Sequence, residues 1–443
     1  MSIVPGTLET DQQPPMTVPL RHFVFGLGFL LLGVAIGLGI AIGLTPGWAT
    51  LAHVHLLLVG WICLTIMGAM TQFVPVWSGV PLYSRRLAVV QLWPVVGGLV
   101  GFAASLLADS LPWLVVFGAL MLVGFWIFVY NIGRTLWQVD EYDVTERHFI
   151  VALGFFLLLT PLGYLLAIDF SWPVFAGLPV SRVNVVGAHA TLAVFGAVLT
   201  TVFGALYQLG SMFTQTELHG IDHPLQRVEE TAYPIGVVSL AVGRLLDAGV
   251  IARIGGILIA GSVFGFGLIL ARRLYETQVE WTPMLTRYAV VVPLLALWSI
   301  SALLTWIQQP LARTTWFGLQ DGGHLLLFGV IGFVVFGTLY HIIPFIIWVH
   351  RYSEQLGFAE VPMIDDLYSS RIATIDVTLI GCGFLVLAGS EWVGSSSTLP
   401  SIAGVLVMLG SVLFVSNMLL VLRDHNPHSL GGVLFDSLSS HRG

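Results

Sequence analysis

The sequence predicts an all-α integral membrane fold: twelve transmembrane helices in three pseudo-threefold-related units of four, with both termini cytoplasmic. Three observations predict it. Apolar residues make up 56% of the 443 and charged residues only 9%, whereas a soluble domain carries roughly 25% charged residues. The apolar stretches run long enough to cross a bilayer and lack the alternation of an outer-membrane barrel. Three of those stretches also repeat one another. The first observation excludes a soluble enzyme. Nucleic-acid binding is excluded because the 17 basic residues, all of them Arg, form no basic stripe.

Residues 1–20 are polar and Pro-containing, with Glu9 and Asp11. They lack the basic-then-apolar pattern of a signal peptide and read as a cytoplasmic tail. One membrane domain then runs from 21 to 422. Its helices are expected over 21–44, 48–77, 86–108, 112–134, 147–168, 183–213, 231–250, 253–274, 286–308, 317–349, 371–390 and 399–422. Pro and Gly punctuate the gaps, as at Pro46-Gly47 and Pro81. The units cover about 21–134, 147–274 and 286–422, and 423–443 forms a second cytoplasmic tail. With the N-terminus inside, thirteen Arg fall on the cytoplasmic side. Only Arg182, Arg253 and Arg313 fall outside, and Arg244 sits near a helix end. That asymmetry obeys the positive-inside rule. The expected setting is a prokaryotic plasma membrane, with the lipid bilayer as partner. Cys63 and Cys382 lie inside apolar runs and read as core residues rather than a disulfide or metal cage.

The repeat is carried by the second, sixth and tenth helices. The first reads Ala52-His53-Val54-His55-Leu56, then Gly60, Gly68, Gln72 and Pro75. The next reads Ala188-His189-Ala190-Thr191-Leu192, then Gly196, Gly204 and Gln208. The last reads Gly322-Gly323-His324-Leu325, then Gly329, Gly337, His341 and Pro344. Anchored on the paired glycines, the three align without a gap. His189 then takes the place of His53, and His324 takes the place of His55. All three helices run from outside to inside, so these four His share one depth, about two turns inside the outer end. His341 lies near the cytoplasmic end.

A buried imidazole in lipid needs hydrogen-bonding partners or a metal. Four at one depth on equivalent positions favour a cofactor over four separate helix-packing contacts. His53 and His55 point about 200° apart on their helix, so they cannot ligate one metal together. His55 and His324 occupy equivalent faces and can meet as the two axial ligands of a low-spin heme. Gly60, Gly187, Gly196, Gly322, Gly323 and Gly329 read either as room for a planar cofactor or as close helix packing. Arg313 and Arg182, on the outer side, are candidate partners for heme propionates. Glu217, His219, Asp222 and His223 read as a solvated loop, because Pro224 should end any turn there. Trp48, Trp77, Trp93, Trp137 and Trp316 read as an interfacial belt. No carboxylate is expected deep in a helix, so a proton relay is not expected.

Twelve helices in three units of four, with His on the second, sixth and tenth, resemble subunit I of the heme-copper oxidase superfamily. The resemblance implies a low-spin heme b held by His55 and His324. His189 lies near a copper-binding position of that family, so it is the candidate for copper, with His53 facing the same second pocket. Gly322 stands where the family has the high-spin heme ligand. The seventh helix, Tyr233 to Gly249, has no His for copper. Thr191 and Ala193 stand where some oxidases have Glu and Tyr, and no Lys exists for a proton channel. The resemblance therefore implies a degenerate binuclear centre without proton pumping. Electron transfer or handling of oxygen or nitric oxide would be the role. The partner would be a respiratory-chain subunit, or a cytochrome or cupredoxin electron donor.

His53-Val54-His55 followed by Val74-Pro75-Val76-Trp77-Ser78-Gly79 is also similar to the NnrS family of heme- and copper-binding proteins of the nitric-oxide response. Two readings stand beside these: a cofactor-free transporter built on repeats, and a metal- or heme-delivery protein.

Overall fold

The computed structural model describes residues 14–320, 322–393 and 398–435. It is all-helical, with no strand among the described residues. Eleven helices are long and apolar enough to cross a membrane. They are α1 (Thr17–Ala41), α2 (Ala49–Trp77), α3 (Arg85–Leu107), α4 (Leu111–Leu136), α5 (Val144–Ile168) and α6 (Arg182–Thr214), then α8 (Gly249–Tyr275), α9 (Pro283–Gln308), α10 (Leu325–Arg351), α11 (Ser370–Val393) and α12 (Thr398–His425). Between α6 and α8 lies α7 (Asp222–Leu245), a 24-residue helix with a more polar first half. Consecutive helices pack side by side, and α12 closes the ring against α1. Inside the ring stand α2, α6 and α10. Their most apolar windows are 67%, 78% and 89% buried, against 28–61% for the other spans. Outer helices turn Leu32, Val116, Leu157, Ile254, Leu304 and Val405 outward, which suits a lipid solvent.

Side-chain chemistry sets several boundaries. Asp143 and Glu146 form a reciprocal capping box at the start of α5. Ser84, Ser181 and Thr282 each cap a helix by accepting a backbone N–H. Gln215 ends α6 in the left-handed region, and Asp109 and Asp247 adopt it just past α3 and α7. The start of α7 differs from expectation: it begins at Asp222 and carries Pro224 in its first turn. Pro is tolerated there because a first-turn N–H has no intrahelical acceptor to lose.

The expected tails also change. Helix α1 begins at Thr17, inside the expected N-terminal tail. Helix α12 runs to His425 and is followed by a short helix, Leu430–Phe435. Arg21 Nε donates to Val433 O at 2.7 Å, so the start of α1 and the end of the chain meet. Glu9, Asp11, His441 and Arg442 lie outside the described residues.

Each inner helix contains one π-helical segment: Leu56–Cys63, Leu192–Leu199 and Leu325–Gly332. Their starts are 136 and 133 residues apart, the same intervals that relate the glycines of the sequence repeat. Packing follows the same register. A Cβ added at Gly68, Gly204 or Gly337 would meet the Cβ of His22, His148 or Arg287 at 2.8, 2.6 and 3.3 Å. Gly60 packs on Phe29, Gly196 on Phe155 and Gly329 on Phe384 and Leu294. Gly187 packs on the Trp316 ring, and Gly322 on Leu319. Close packing therefore accounts for these small residues.

Candidate functional site

The site is built from the first turns of the three inner helices. His53 is one turn into α2, with His55 just before the π-helical segment. His189 is two turns into α6. His324 sits at the very start of α10, shallower in its helix than expected, because residues 309–320 run as an irregular loop with short helical turns. The structure groups the four by the repeat. His53 lies within electrostatic range of His324. His189 lies within range of His55. Position 55 of one unit thus faces position 53 of the next. The face argument from sequence joined His55 to His324, whereas the electrostatic couplings pair His53 with His324 and His55 with His189. His53 and His55 have different anchors, Gly33 O of α1 and Leu51 O of α2 itself.

All four imidazoles are anchored in the same way. Nδ1 of His53 lies 2.7 Å from Gly33 O, Nδ1 of His55 lies 2.8 Å from Leu51 O, and Nδ1 of His189 lies 3.0 Å from Leu159 O. His324 Nδ1 bonds the carboxylate of Glu391. A carbonyl or carboxylate only accepts, so Nδ1 carries the proton and Nε2 keeps its lone pair. No hydrogen bond engages any of these four Nε2 atoms among the described residues. The four residues are half-buried rather than buried, and the His324 side chain is 40% exposed. That pattern, one nitrogen tied and the other free, is how proteins present imidazole to iron or zinc.

The walls are tight where they support the rings. A Cβ at Gly37 would lie 2.6 Å from the His53 ring, and one at Gly163 would lie 2.7 Å from the His189 ring. The His55 ring packs on Phe102, with centroids 5.0 Å apart. Glu391 Oε2 is buried and has no partner.

The third interface between units differs. There Thr191 takes the place of His55, and Gly322 that of His53. Arg244 fills the space: Nη1 donates to Thr191 Oγ1 at 2.7 Å, Nη2 to Trp316 O at 3.1 Å and Nε to Pro310 O at 3.2 Å. Trp316 is only 9% exposed, so it belongs to this plug and not to an interfacial belt. Trp48, Trp93 and Trp137 are exposed as expected of a belt.

Among the expected propionate partners, Arg182 is paired with Asp169 at 2.6 Å. Arg313 is exposed in the loop before α10, with no ion pair among the described residues. Among the described residues, no group of three or more His, Cys, Asp or Glu could hold a metal ion. Cys63 is buried as expected, but Cys382 is exposed on the outer face of α11.

A second polar layer lies about 24 Å farther along the inner helices, sixteen residues on at 1.5 Å each. It repeats three times. Gln91 Nε2 approaches His22 Nε2 at 3.3 Å and Thr71 Oγ1 at 3.4 Å. His148 Nε2 lies 3.1 Å from both oxygens of Glu229, and Tyr207 donates to Glu229 at 3.0 Å. Arg287 and Tyr340 both bond Asp376, and Asn417 donates to Tyr340 at 3.0 Å. Glu229 and Asp376 are fully buried, against the expectation that no carboxylate would be. Sequence reading missed them because each sits two turns into a helix, close enough to a loop to pass as an end residue. The signal was present one residue from the repeat's Gln72, Gln208 and His341: Thr71, Tyr207 and Tyr340 recur at the same intervals.

In the loop cluster Glu217, His219 and His223 are exposed, as expected of a solvated loop, and Asp222 alone is buried. Asp222 is buried against Arg272, and His219 Nε2 lies 3.0 Å from Glu276. His219, with Arg272 beside it, holds the Glu276 carboxyl below its ordinary value.

No known protein family matches this chain, and no curated protein is detectably similar to it.

Proposed function

We propose that the chain is a b-heme-binding membrane protein whose role is electron transfer. The observation that carries this reading is the pair His53 and His324: two anchored imidazoles from different units, each with a free Nε2. The donor chemistry fits a heme. Two nitrogens and no third protein ligand are too few for a zinc or copper cage. They suffice for an iron whose four equatorial donors come with the cofactor. Bound there, a bis-imidazole iron supplies one-electron transfer and has no open position for a gas.

The residues around it have separate tasks. Glu391 fixes the His324 tautomer and the orientation of its ring. Gly33 O and the close-packed Gly37 hold the His53 ring in one orientation.

The membrane reading is of twelve spans in three units, with both ends on one side. Eleven spans would leave the ends on opposite sides, and the Arg21–Val433 hydrogen bond favours an even number that includes α7. The shared register of the three π-helical segments and three polar clusters supports the units. Copper at His189 receives no third ligand here, so the reading omits it.

A reduced-minus-oxidised optical spectrum of the chain, purified from heme-supplied cells, tests the proposal. Sharp b-type bands are expected, and carbon monoxide should leave them in place. A colourless protein would overturn it.

A further inference from the structure

We infer that the chain holds a second bis-imidazole heme site, formed by His55 of α2 and His189 of α6. The inference rests on the heme reading above and extends it to the neighbouring interface between units. The case is structural. His55 and His189 lie within electrostatic range of each other across the first and second units. Both are tied at Nδ1 to backbone carbonyls, Leu51 O and Leu159 O. Both leave Nε2 without a partner among the described residues, and both rings keep accessible surface inside the bundle. This repeats the His53–His324 arrangement at the equivalent interface.

The third interface supplies the contrast. It has neither imidazole, and Arg244 and Trp316 occupy it. Of the three repeat-equivalent places, two thus carry a pair of imidazoles and the third is occupied by Arg244 and Trp316. If the His55–His189 pair served only packing, a hydrogen bond from a side chain to one of its Nε2 atoms would be the ordinary way to satisfy it in a bilayer. None is present among the described residues. Among the described residues, no acidic or sulfur ligand completes a metal cage with this pair. An iron that brings its own equatorial nitrogens fits such a two-donor site. The two sites share one turn of α2, from which His53 and His55 diverge by about 200°.

Heme content per chain, by pyridine extraction, decides the matter across wild type, His55→Ala, His189→Ala, His53→Ala and His324→Ala. Two hemes b per chain are expected in wild type. Each single variant should keep one, and the heme retained should differ between the two pairs in its reduced-band position. One heme per chain, lost in His53→Ala or His324→Ala and untouched in the other two, would overturn the second site and leave the first standing. No heme in any preparation would overturn both. Should His189→Ala lose all heme through misfolding, His189→Gly with added imidazole provides the check. Recovery of the second low-spin spectrum on adding imidazole supports the site, and no recovery overturns it.

Discussion

At the scale of the residue, the telling atoms are the Nε2 nitrogens left without partners. The four outer-layer His were visible in the sequence because they share repeat positions. What anchors them was not visible. Gly33 and Leu159 contribute backbone oxygens, which carry no signature in the sequence. Glu391 is 67 residues from His324 and read as an outer-end carboxylate. Its anchoring role gives the first prediction. Glu391→Gln keeps a hydrogen-bond acceptor but loses the charge, and heme affinity should fall by about 10–100-fold. Transfer of heme to apomyoglobin measures this, and an unchanged transfer rate would argue against the role.

The second prediction concerns Asp376. It neutralises Arg287 where both are fully buried. Asp376→Ala leaves that guanidinium uncompensated, which costs about 3–5 kcal/mol. Thermal unfolding in detergent should show a large drop, while the heme spectrum of the surviving fold should be unaffected. A wild-type melting temperature would refute the account of this cluster.

At the scale of the element, the π-helical segments matter most. Each starts directly after a repeat-equivalent residue: His55, Thr191 or His324. A π segment adds a residue to the turn and re-aims everything that precedes it. Deleting Leu57 should restore the α-helical register and rotate His53 and His55 by about 100° relative to the rest of α2. The expected result is a membrane-inserted chain that has lost its heme, read from the visible spectrum of the membrane fraction. Full heme retention would show that the segment does not set the ligand orientation.

Helix existence was legible throughout, because long apolar runs leave few alternatives. Helix starts were less so. Pro224 looked like a stop and is a first-turn residue, and the helix expected from 317 begins only at the His324 turn. Both errors arise where loop geometry, decided by packing, overrides the local pattern. The α7–α8 hairpin offers a further check of packing. A Cβ at Gly255 would fall 2.3 Å from Leu240 N, a backbone atom that cannot swing aside. Gly255→Ala should destabilise the protein by about 1–3 kcal/mol, seen as a lower melting temperature.

At the scale of the whole molecule, the helices close into a ring around three inner helices that share one register and differ in what packs at their first turns. The register of the inner helices was legible from the 136- and 133-residue intervals, which the π segments and the inner polar layer reproduce. The inequality of the interfaces was not legible. It depends on Arg244 reaching across to Thr191 and on the loop that brings Trp316 against Gly187. Topology gives a prediction at this scale. Reporters fused to either end of the chain should both report the cytoplasm, and reporters on opposite sides would contradict twelve spans. The central claim, an iron held between His53 and His324, is tested most directly by electron paramagnetic resonance of the ferric protein beside His324→Ala. The account predicts a low-spin signal in wild type and loss of one low-spin component in the variant. A low-spin spectrum unchanged by the substitution would contradict it.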